Sequence, residues 1–311
     1  MTLEQLRIFV AVAERQHLTQ AAAVLSLTPS AVSASIKALE ERYGTTLFHR
    51  VGRRIETSEE GRIFLDEARR TLASARAAET TLAELGELRR GALAIHASQT
   101  IASYWLPSFL VRFRERYPAI ELALEVGNTR SVAQAVLQGL ADLGFVEDAI
   151  DVAQLSTAVL GEDRMVVVVA PGHPWADGRA LEAQDLREAQ WILRETGSGT
   201  RSAFEAALAR LGVPAEALRV ALSLPSNEAV RSAVMAGPFA TAMSEMVVAS
   251  HLDAGLLRRA QVALPVRDFL LLRHRTRHRS RAAAAFEESV LQGRSAGSTT
   301  APGRASGQEE R

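Results

Sequence analysis

The feature that most constrains this chain is a helix start at Thr28-Pro29, placed soon after two shorter helical patterns. Apolar residues recur at helical spacing over residues 2–15, and a small-residue helix that Thr19 can cap comes next. Threonine accepts an unpaired backbone amide, and proline at the first helical position loses no hydrogen bond, so a third helix begins here. Gly44 can end that helix in the left-handed conformation. The pattern predicts helix, helix, short turn and longer helix.

The third helix is predicted to have one apolar and one slim polar face. Its inward stripe has apolar and aromatic side chains at helical spacing: Val32, Ile36, Leu39 and Tyr43. Its outward face has small or polar side chains: Ser30, Ser33, Ala34, Lys37 and Glu41. A helix with a slim outward face fits the major groove of DNA, which is about 12 Å wide.

A basic hairpin is predicted directly after this helix. Residues 47–50 and 53–57 have strand character on either side of Val51 and Gly52. The hairpin carries Arg50, Arg53 and Arg54, which can neutralise phosphates and fix the position of the protein without reading bases. A plainer interpretation is that the three helices are a protein-interaction module with a solvated hairpin.

Charge and composition restrict the other possibilities. The 311 residues contain 36 basic and 36 acidic side chains, but residues 1–57 hold seven basic against five acidic ones. The absence of cysteine excludes disulfides, thiolate nucleophiles and cysteine-ligated metals. The start lacks signal-peptide character, and no apolar run approaches the roughly 20 residues of a membrane span. We therefore expect a cytoplasmic location and no membrane partner.

A long helix is predicted to link two domains. Thr57 and Glu60 have the spacing of a capping box, and an alanine-rich apolar stripe continues to about residue 88. We assign residues 59–90 to this linker helix and interpret it as a dimerisation element, since two half-sites on DNA require two reading heads. The alternative is a helix packed only on its own chain.

From Gly91 onward the pattern becomes α/β. Short apolar runs alternate with helical segments, which predicts a mainly parallel sheet. Residues 161–163 and 263–265 look like paired crossovers between two lobes, with lobe I at 91–161 and 265–292 and lobe II at 162–264. Residues 293–311 are rich in glycine, serine, alanine and arginine and are predicted to be a disordered tail.

The motifs resemble the LysR-type transcriptional regulators over roughly residues 1–290. The N-terminal resemblance rests on the runs 3–9, 19–22, 27–33 and 36–40 with Gly44 and Leu47-Phe48, and the C-terminal one on residues 171–174 and 197–201. It implies an α/β fold class with an N-terminal winged helix-turn-helix (1–58), a long linker helix and a C-terminal two-lobed, periplasmic-binding-protein-like effector domain (91–292). This architecture implies a regulator of transcription and not an enzyme.

The resemblance also implies the DNA contacts, with two departures. The positions that correspond to the DNA contacts of the family are Thr28, Pro29, Ser30, Ser33, Ala34, Lys37, Arg50, Arg53 and Arg54. The family commonly has glutamine where Pro29 stands and arginine where Ala34 stands, so base reading here is expected to be unusual. We expect a homodimer or dimer of dimers on double-stranded promoter DNA, with RNA polymerase as a further partner.

Hydroxyl and amide side chains follow several predicted strands and open the next helices. They are Ser98, Thr100, Asn128, Thr129, Thr196, Ser198 and Thr200. Helix starts carry partial positive charge, and the resemblance places oxyanion contacts at several of these positions, so we expect a small anionic effector between the lobes. Serine and threonine are also good helix caps, which explains any single one of them equally well.

Other functions have weaker support in the sequence. The run Gly197 to Arg201 lacks the lysine and the spacing of a nucleotide-binding loop. His274 and His278 are four residues apart but lie in an arginine-rich stretch without a carboxylate, so no metal or cofactor is expected. A transport-type binding protein would not carry the N-terminal 57 residues.

Overall fold

The computed structural model describes residues 1–51, 54–85, 91–147 and 150–297. The chain divides into an N-terminal unit, which holds the first four helices, and a C-terminal unit, which holds the α/β domain; Leu137–Leu140 groups with the N-terminal unit. The helices are α1 Leu3–Arg15, α2 Leu18–Leu25, α3 Pro29–Tyr43, α4 Glu59–Leu85, α5 Pro107–Arg116, α6 Thr129–Gln138, α7 Ala183–Glu188, α8 Gly199–Arg210, α9 Asn227–Met235, α10 Glu245–Asp253 and α11 Arg281–Gly297.

The strands form a hairpin in the N-terminal unit and one large sheet in the C-terminal unit. They are β1 Phe48–Val51, β2 Arg54–Thr57, β3 Gly91–Ser98, β4 Ile120–Gly127, β5 Leu143–Glu147, β6 Leu155–Val169, β7 Gln190–Arg194, β8 Arg219–Leu224, β9 Ala240–Ser244, β10 Arg258–Arg259 and β11 Val266–His274. The order in the large sheet is β4-β3-β5-β11-β6-β9-β7-β8, and β10 pairs with β6.

The N-terminal unit has the predicted order of elements, with three local corrections. His17, not Thr19, caps α2, because the His17 Nδ1 accepts from the amide of Gln20 at 3.5 Å. Ser58, not Thr57, caps α4, because the Ser58 Oγ accepts from the amide of Gly61 at 2.8 Å. Tyr43 lies at the last turn of α3 with 55% of its surface exposed, so it does not belong to the inward stripe.

The core of this unit brings together residues of the first four helices and of the hairpin. Phe9 of α1 is fully buried and contacts Phe48 of the hairpin and Phe64 of α4. Val32 and Leu39 point inward from α3, as predicted.

Within the described residues no single helix is long and apolar enough to span a membrane. Taken together, α2 and α3 have the length and composition of a membrane span, but the chain bends by 105° between them.

The sheet of the C-terminal unit is parallel only at its two ends. β3 runs parallel to β4 and β5, and β7 runs parallel to β8 and β9, whereas β11 is antiparallel to β5 and β6. The prediction of a mainly parallel sheet is therefore wrong at the centre. The physical reason is that β6 carries the chain from one lobe to the other and β11 carries it back, so the two must run in opposite directions.

The chain returns beside residues 161–163 a few residues later than the predicted crossover at 263–265. Gly161 and Asp163 of β6 pair with Phe269 and Arg267 of β11. Each lobe has its own core, which centres on Phe145 and Phe286 in the first lobe and on Trp191 and Phe204 in the second; the last two rings lie 4.8 Å apart. The boundaries of the lobes at residues 161–162 and 264–265 stay a prediction of the sequence.

The C-terminal end of the fold extends further than predicted. The helix α11 continues to Gly297, so residues 293–297 do not belong to the unstructured tail that the sequence analysis expected. At Gly293 a Cβ would lie 2.6 Å from the ring of Phe109, so this glycine allows close packing against α5. The remainder of the predicted tail lies outside the described residues.

Candidate DNA interface and interlobe site

The helix α3 presents the face that the sequence analysis assigned to DNA. The side chains that are exposed on this face are Thr28, Pro29, Ser30, Ala34 and Lys37, and Ser33 is half-buried. The Thr28 Oγ1 accepts from the amide of Ala31 at 3.2 Å and lies 3.0 Å from the Ser30 hydroxyl. Thr28 therefore acts as the helix cap and orients Ser30 at the exposed start of α3.

The charged group on this face has a partner that DNA can displace. The Lys37 ammonium lies 3.4 Å from the Glu41 carboxylate, and both side chains are more than half exposed. Exposed pairs of this kind contribute little to stability. A phosphate can therefore replace Glu41 as the partner of Lys37 at small cost.

A half-buried contact positions the hairpin beside α3. The Glu40 Oε1 accepts from the amides of Leu47 at 2.7 Å and Phe48 at 3.1 Å, at the start of β1. Arg50 is exposed on β1. The backbone of Arg54 opens β2, and Arg53 lies outside the described residues. The hairpin is thus held at its base, as a DNA-contacting wing requires.

The second candidate site lies between the lobes of the C-terminal unit. Thr100 follows β3 in the first lobe and is 1% exposed, and its hydroxyl accepts from the Nδ2 of Asn227 at 3.1 Å. Asn227 is the first residue of α9 in the second lobe, and its backbone amide donates to the Oε1 of Gln99 at 2.6 Å. The Nε2 of Gln99 in turn donates to the Oε2 of Glu228 at 2.9 Å. These bonds join the lobes.

A second set of contacts joins the starts of α6 and α8. The Nδ2 of Asn128 donates to the Oε1 of Glu195 at 3.1 Å, and the Thr129 hydroxyl donates to the Glu147 carbonyl at 3.0 Å. At Gly199 a Cβ would lie 2.5 Å from that carbonyl oxygen and 2.5 Å from the Thr129 Oγ1. The first turn of α8 therefore packs directly against the first lobe.

Thr200 connects this site to the crossover strands. Its hydroxyl accepts from the Nη1 of Arg267 at 3.1 Å, and the Nη2 of Arg267 lies 2.6 Å from the Asp163 Oδ2. The Ser244 hydroxyl donates to the other oxygen of Asp163 at 2.6 Å. Burial raises the pKa of Asp163, and the Arg267 charge and these hydrogen bonds act against that rise. The start of α8 is thus tied to both crossovers.

The remaining predicted residues differ in their surroundings. Ser98 is 3% exposed, and its hydroxyl has no hydrogen-bond partner within the described part of the chain. Ser198 is 2% exposed at the start of α8. Thr196 is exposed in the loop that precedes this helix. The structure therefore buries Ser98 and Ser198 and leaves Thr196 on the surface.

Sequence reasoning missed the charged residues of the site. Arg194, at the end of β7, donates its Nη1 to the Oδ1 of Asn227 at 2.7 Å and its Nε to the Oε2 of Glu195 at 2.8 Å. Burial acts to raise the pKa of Glu195, but hydrogen bonds and the charge from Arg194, with a further bond from Asn128, outweigh it and lower the pKa. The sequence signal that could have pointed to Asn227 was Ser226, which caps the helix beginning at Asn227. This helix follows β8, a strand that was not predicted.

Paired guanidinium groups and helix starts both contribute to the electrostatics of the site. The buried guanidinium of Arg194 already faces the carboxylate of Glu195, and that of Arg267 already faces Asp163. Three helix starts, those of α6, α8 and α9, contribute to the contacts between the lobes. Each helix start carries about half a positive charge in free amides. The helix starts therefore contribute positive partial charge beside guanidinium groups that are already paired.

The helix-turn-helix with its hairpin and the two-lobed domain with a polar interlobe site together define a DNA-binding regulator that responds to a small molecule. Residues 3–62 match the model of the bacterial regulatory helix-turn-helix protein, lysR family, and residues 86–295 match the LysR substrate binding domain. The chain belongs to the LysR family of transcriptional regulators, which are not enzymes.

Relatives support this assignment over more than nine tenths of the chain. The HTH-type transcriptional regulator YeiE of Escherichia coli K12, described as uncharacterized, is 36% identical over 92% of this chain and 96% of its own. The RuBisCO operon transcriptional regulator of Allochromatium vinosum is 33% identical over 94% of this chain and 96% of its own.

Solved structures show the same fold. Full-length CbnR in complex with its target DNA matches 94% of this chain and 99% of its own with a TM-score of 0.67 at 20% identity. The regulatory domain of Synechocystis PCC6803 CcmR in complex with 2-PG matches 66% of this chain and 97% of its own, with a TM-score of 0.60 at 25% identity.

Proposed function

We propose that this regulator binds promoter DNA through α3 and the β1–β2 hairpin, and that a small anionic effector bound between its lobes alters that binding. The observation that carries the proposal is the meeting of side chains from both lobes at the starts of α6, α8 and α9. Ligands in two-lobed folds bind where helix starts and strand ends converge. An effector at this point contacts both lobes and changes the angle between them.

The DNA-binding part assigns roles to the exposed face of α3 and to the wing. Ser30, Ser33 and Lys37 face the groove, together with the start of the helix at Thr28 and Pro29 and the small side chain of Ala34. Arg50, Arg53 and Arg54 contact phosphates on either side. Because Pro29 and Ala34 lack hydrogen-bonding side chains, base reading depends on the few polar groups that remain.

The salt dependence of DNA binding tests these roles. Each phosphate contact contributes about 0.9 to the slope of log affinity against log salt. Lys37→Ala with Arg53→Ala in the full chain should lower that slope by about 2, whereas Arg210→Ala, at an exposed arginine of α8, should leave it unchanged. A double variant with the slope and affinity of the parent would contradict the proposed interface.

The regulator is further proposed to act as a homodimer or a dimer of dimers. Apolar side chains on three elements are exposed: Ile63 and Leu82 on α4, Val111 on α5, and Val220 and Leu222 on the edge strand β8. Edge strands and apolar patches of this kind are typical of surfaces that another chain covers. Two copies would bring two reading heads to a palindromic site. Sedimentation of the full chain should therefore show no monomer at micromolar concentration.

The effector is proposed to carry a carboxylate or a phosphate. The hydroxyls of Ser98, Thr100, Ser198 and Thr200, the side chains of Asn128 and Thr129, and the exposed hydroxyl of Thr196 supply donors around the helix starts. The unsatisfied Ser98 hydroxyl is available to a ligand without the loss of an existing bond. Contact with RNA polymerase, in the cytoplasm, would then transmit the change.

Calorimetric titration of the full chain tests the charge of the effector. The panel begins with 2-PG, which the CcmR regulatory domain binds, and pairs each carboxylate or phosphate with an uncharged amide or alcohol of similar size. We expect heat only from the anionic members, and Thr100→Val should abolish it. Binding of the uncharged members alone would reject an anionic effector.

A further inference from the structure

Two buried threonines of the interlobe site have hydroxyl groups whose hydrogen-bond direction is fixed, and Thr200 is the first. Its Oγ1 accepts from the Nη1 of Arg267 at 3.1 Å, and both side chains are buried. A guanidinium has five N–H donors and no acceptor, so the threonine oxygen must be the acceptor of this bond. A hydroxyl has one proton and two lone pairs, so the proton of Thr200 is directed toward some other group.

Asn227 imposes the same direction on Thr100. The Oδ1 of Asn227 accepts from the Nη1 of Arg194 at 2.7 Å, and its Nδ2 donates to the Thr100 Oγ1 at 3.1 Å. The side-chain amide cannot be reversed, because its NH2 group would then face the donor-only guanidinium of Arg194. Asn227 and Thr100 are 0% and 1% exposed, so this bond is shielded from bulk water. Thr100 therefore also accepts, and it keeps its proton for another partner.

Carboxylates hold the two guanidinium groups in these positions. The Nε of Arg267 donates to the Asp163 Oδ2 at 2.8 Å, and the Nε of Arg194 donates to the Glu195 Oε2 at 2.8 Å. Because a guanidinium is planar and rigid, a pairing along one edge fixes the direction of its remaining N–H groups. Hydrogen bonds in such a chain polarise one another, which makes the hydroxyl at its end a stronger donor. The charge of each arginine is therefore paired, while its geometry orients the polar groups beside it.

The protons of Thr100 and Thr200 have no acceptor in the described part of the chain. Each hydroxyl takes part in one hydrogen bond there, as the acceptor. Ser244 is a contrasting case in the same network, because its buried hydroxyl donates to the Asp163 Oδ1 at 2.6 Å. A buried donor without an acceptor costs free energy, so its presence at two positions of one site indicates a ligand that accepts.

We propose that Asn227 and Arg267 are positioning residues that direct the hydroxyl protons of Thr100 and Thr200 toward the effector. The inference rests on the proposed function, in which the effector lies between the lobes. Each hydroxyl has its only proton to offer the ligand, which favours a group that accepts hydrogen bonds over one that donates them. The site is therefore selective for fully ionised oxyanions, and this preference is set by buried residues that need not contact the ligand.

An isosteric change at Asn227 tests the direction of these bonds. Asn227→Asp keeps the pairing with Arg194 but has no proton to donate, so the Thr100 hydroxyl must turn and donate to it. Ser226→Asp is the matched control, because it adds the same charge one residue earlier and aspartate caps a helix as well as serine. Calorimetric titration of the full chain uses inorganic sulfate and 2-PG as the first probes. We expect Asn227→Asp to bind the anion at least about tenfold more weakly than Ser226→Asp.

A double-mutant cycle tests Arg267 in the same titration. Thr200→Val keeps the shape of the side chain and should weaken anion binding by about tenfold to a hundredfold. Arg267→Lys keeps a cation beside Asp163 but lacks the planar fork that reaches Thr200, so it should weaken binding by a similar factor. In the Thr200→Val background the same lysine change should weaken binding by less than about twofold, because the hydroxyl that Arg267 orients is gone. Ser244→Ala should lower the melting temperature and leave the anion affinity unchanged.

Two kinds of result would overturn the inference, and they are distinguishable. If Asn227→Asp bound the anion like Ser226→Asp, hydroxyl direction would play no part at Thr100, and additive effects in the cycle would say the same of Thr200. The anionic effector would stand in either case. If the folded parent bound neither probe nor any other anion of the panel, the inference and the anionic effector would both be rejected. The two tests are independent, so a variant that failed to fold in one would leave the other intact.

Discussion

Replacing Gly199 by alanine should separate the lobes of the effector domain. The added Cβ would lie 2.5 Å from the Glu147 carbonyl oxygen and from the Thr129 Oγ1, roughly 1 Å inside the ~3.5 Å of ordinary contact. The first of these atoms is backbone and cannot rotate away, so α8 must retreat. Overpacking of this kind costs about 1–3 kcal/mol. At ~2–4 °C per kcal/mol for a domain of this size, the melting temperature should fall by roughly 2–12 °C.

Thermal unfolding followed by circular dichroism measures this effect, and effector titration measures its functional result. The matched control is Gly161→Ala in β6, where an added Cβ meets nothing within 4 Å; it should change stability by less than about 1 kcal/mol. Gly199→Ala should also bind the effector more weakly, because the start of α8 has moved. If it melted and bound like the parent, the close approach of α8 to the first lobe would be wrong.

Three further changes test other parts of the structure. Glu40→Ala should weaken DNA binding although Glu40 itself need not contact DNA, because the change leaves the amides at the base of the hairpin unpaired, at a cost of about 1–3 kcal/mol. A gel-shift assay measures the affinity, and Glu40→Gln should recover part of the loss. Burial lowers the pKa of His96, and the charge of Glu125 opposes this shift. The free energy of unfolding should therefore fall as the pH drops below about 6.5, the ordinary pKa of histidine. Urea titrations at several pH values measure this dependence, and His96→Gln should flatten it. Asn227→Ala should lower both the melting temperature and the effector affinity, because it removes the hydrogen-bond partner of Thr100 in the first lobe and of Arg194 in the second. An unchanged variant would show that these bonds do not contribute to stability.

The N-terminal unit could be predicted from sequence nearly to the residue, because local chemistry determines it. Proline at the first position of α3, threonine before it and Gly44 after it fix that helix from both ends, and the structure has all three. The errors arose where two neighbouring residues could cap the same helix. Ser58 caps α4 instead of Thr57 because its hydroxyl can also donate to the Thr46 carbonyl at 2.7 Å, a contact 12 residues away.

The C-terminal unit was less predictable, because its organisation depends on contacts between distant segments. The strand β8 carries apolar residues at period two, Val220, Leu222 and Leu224, but it is short and exposed along most of its length, and the sequence analysis did not assign it. The direction of β11 depends on its pairing with β6, about a hundred residues earlier. The predicted hydroxyls of the site were visible as residues after strands, whereas Arg194 and Asn227 meet only when the second lobe folds.

The interlobe bonds of this structure set a requirement that any effector must meet. The lobes are already joined by Asn227 with Thr100, by Gln99 with Glu228 and by Asn128 with Glu195. To reverse an equilibrium of 1:99 between two arrangements, a ligand must favour one by about 5.5 kcal/mol. A neutral hydrogen bond contributes a net ~0.5–1.5 kcal/mol and one to a charged group ~1.5–3, so a neutral ligand would need about four to eleven new bonds where about two to four charged ones suffice. We therefore expect a compact ligand to switch this domain only if it brings charge to the helix starts, and an uncharged ligand of similar size should leave the affinity for DNA unchanged.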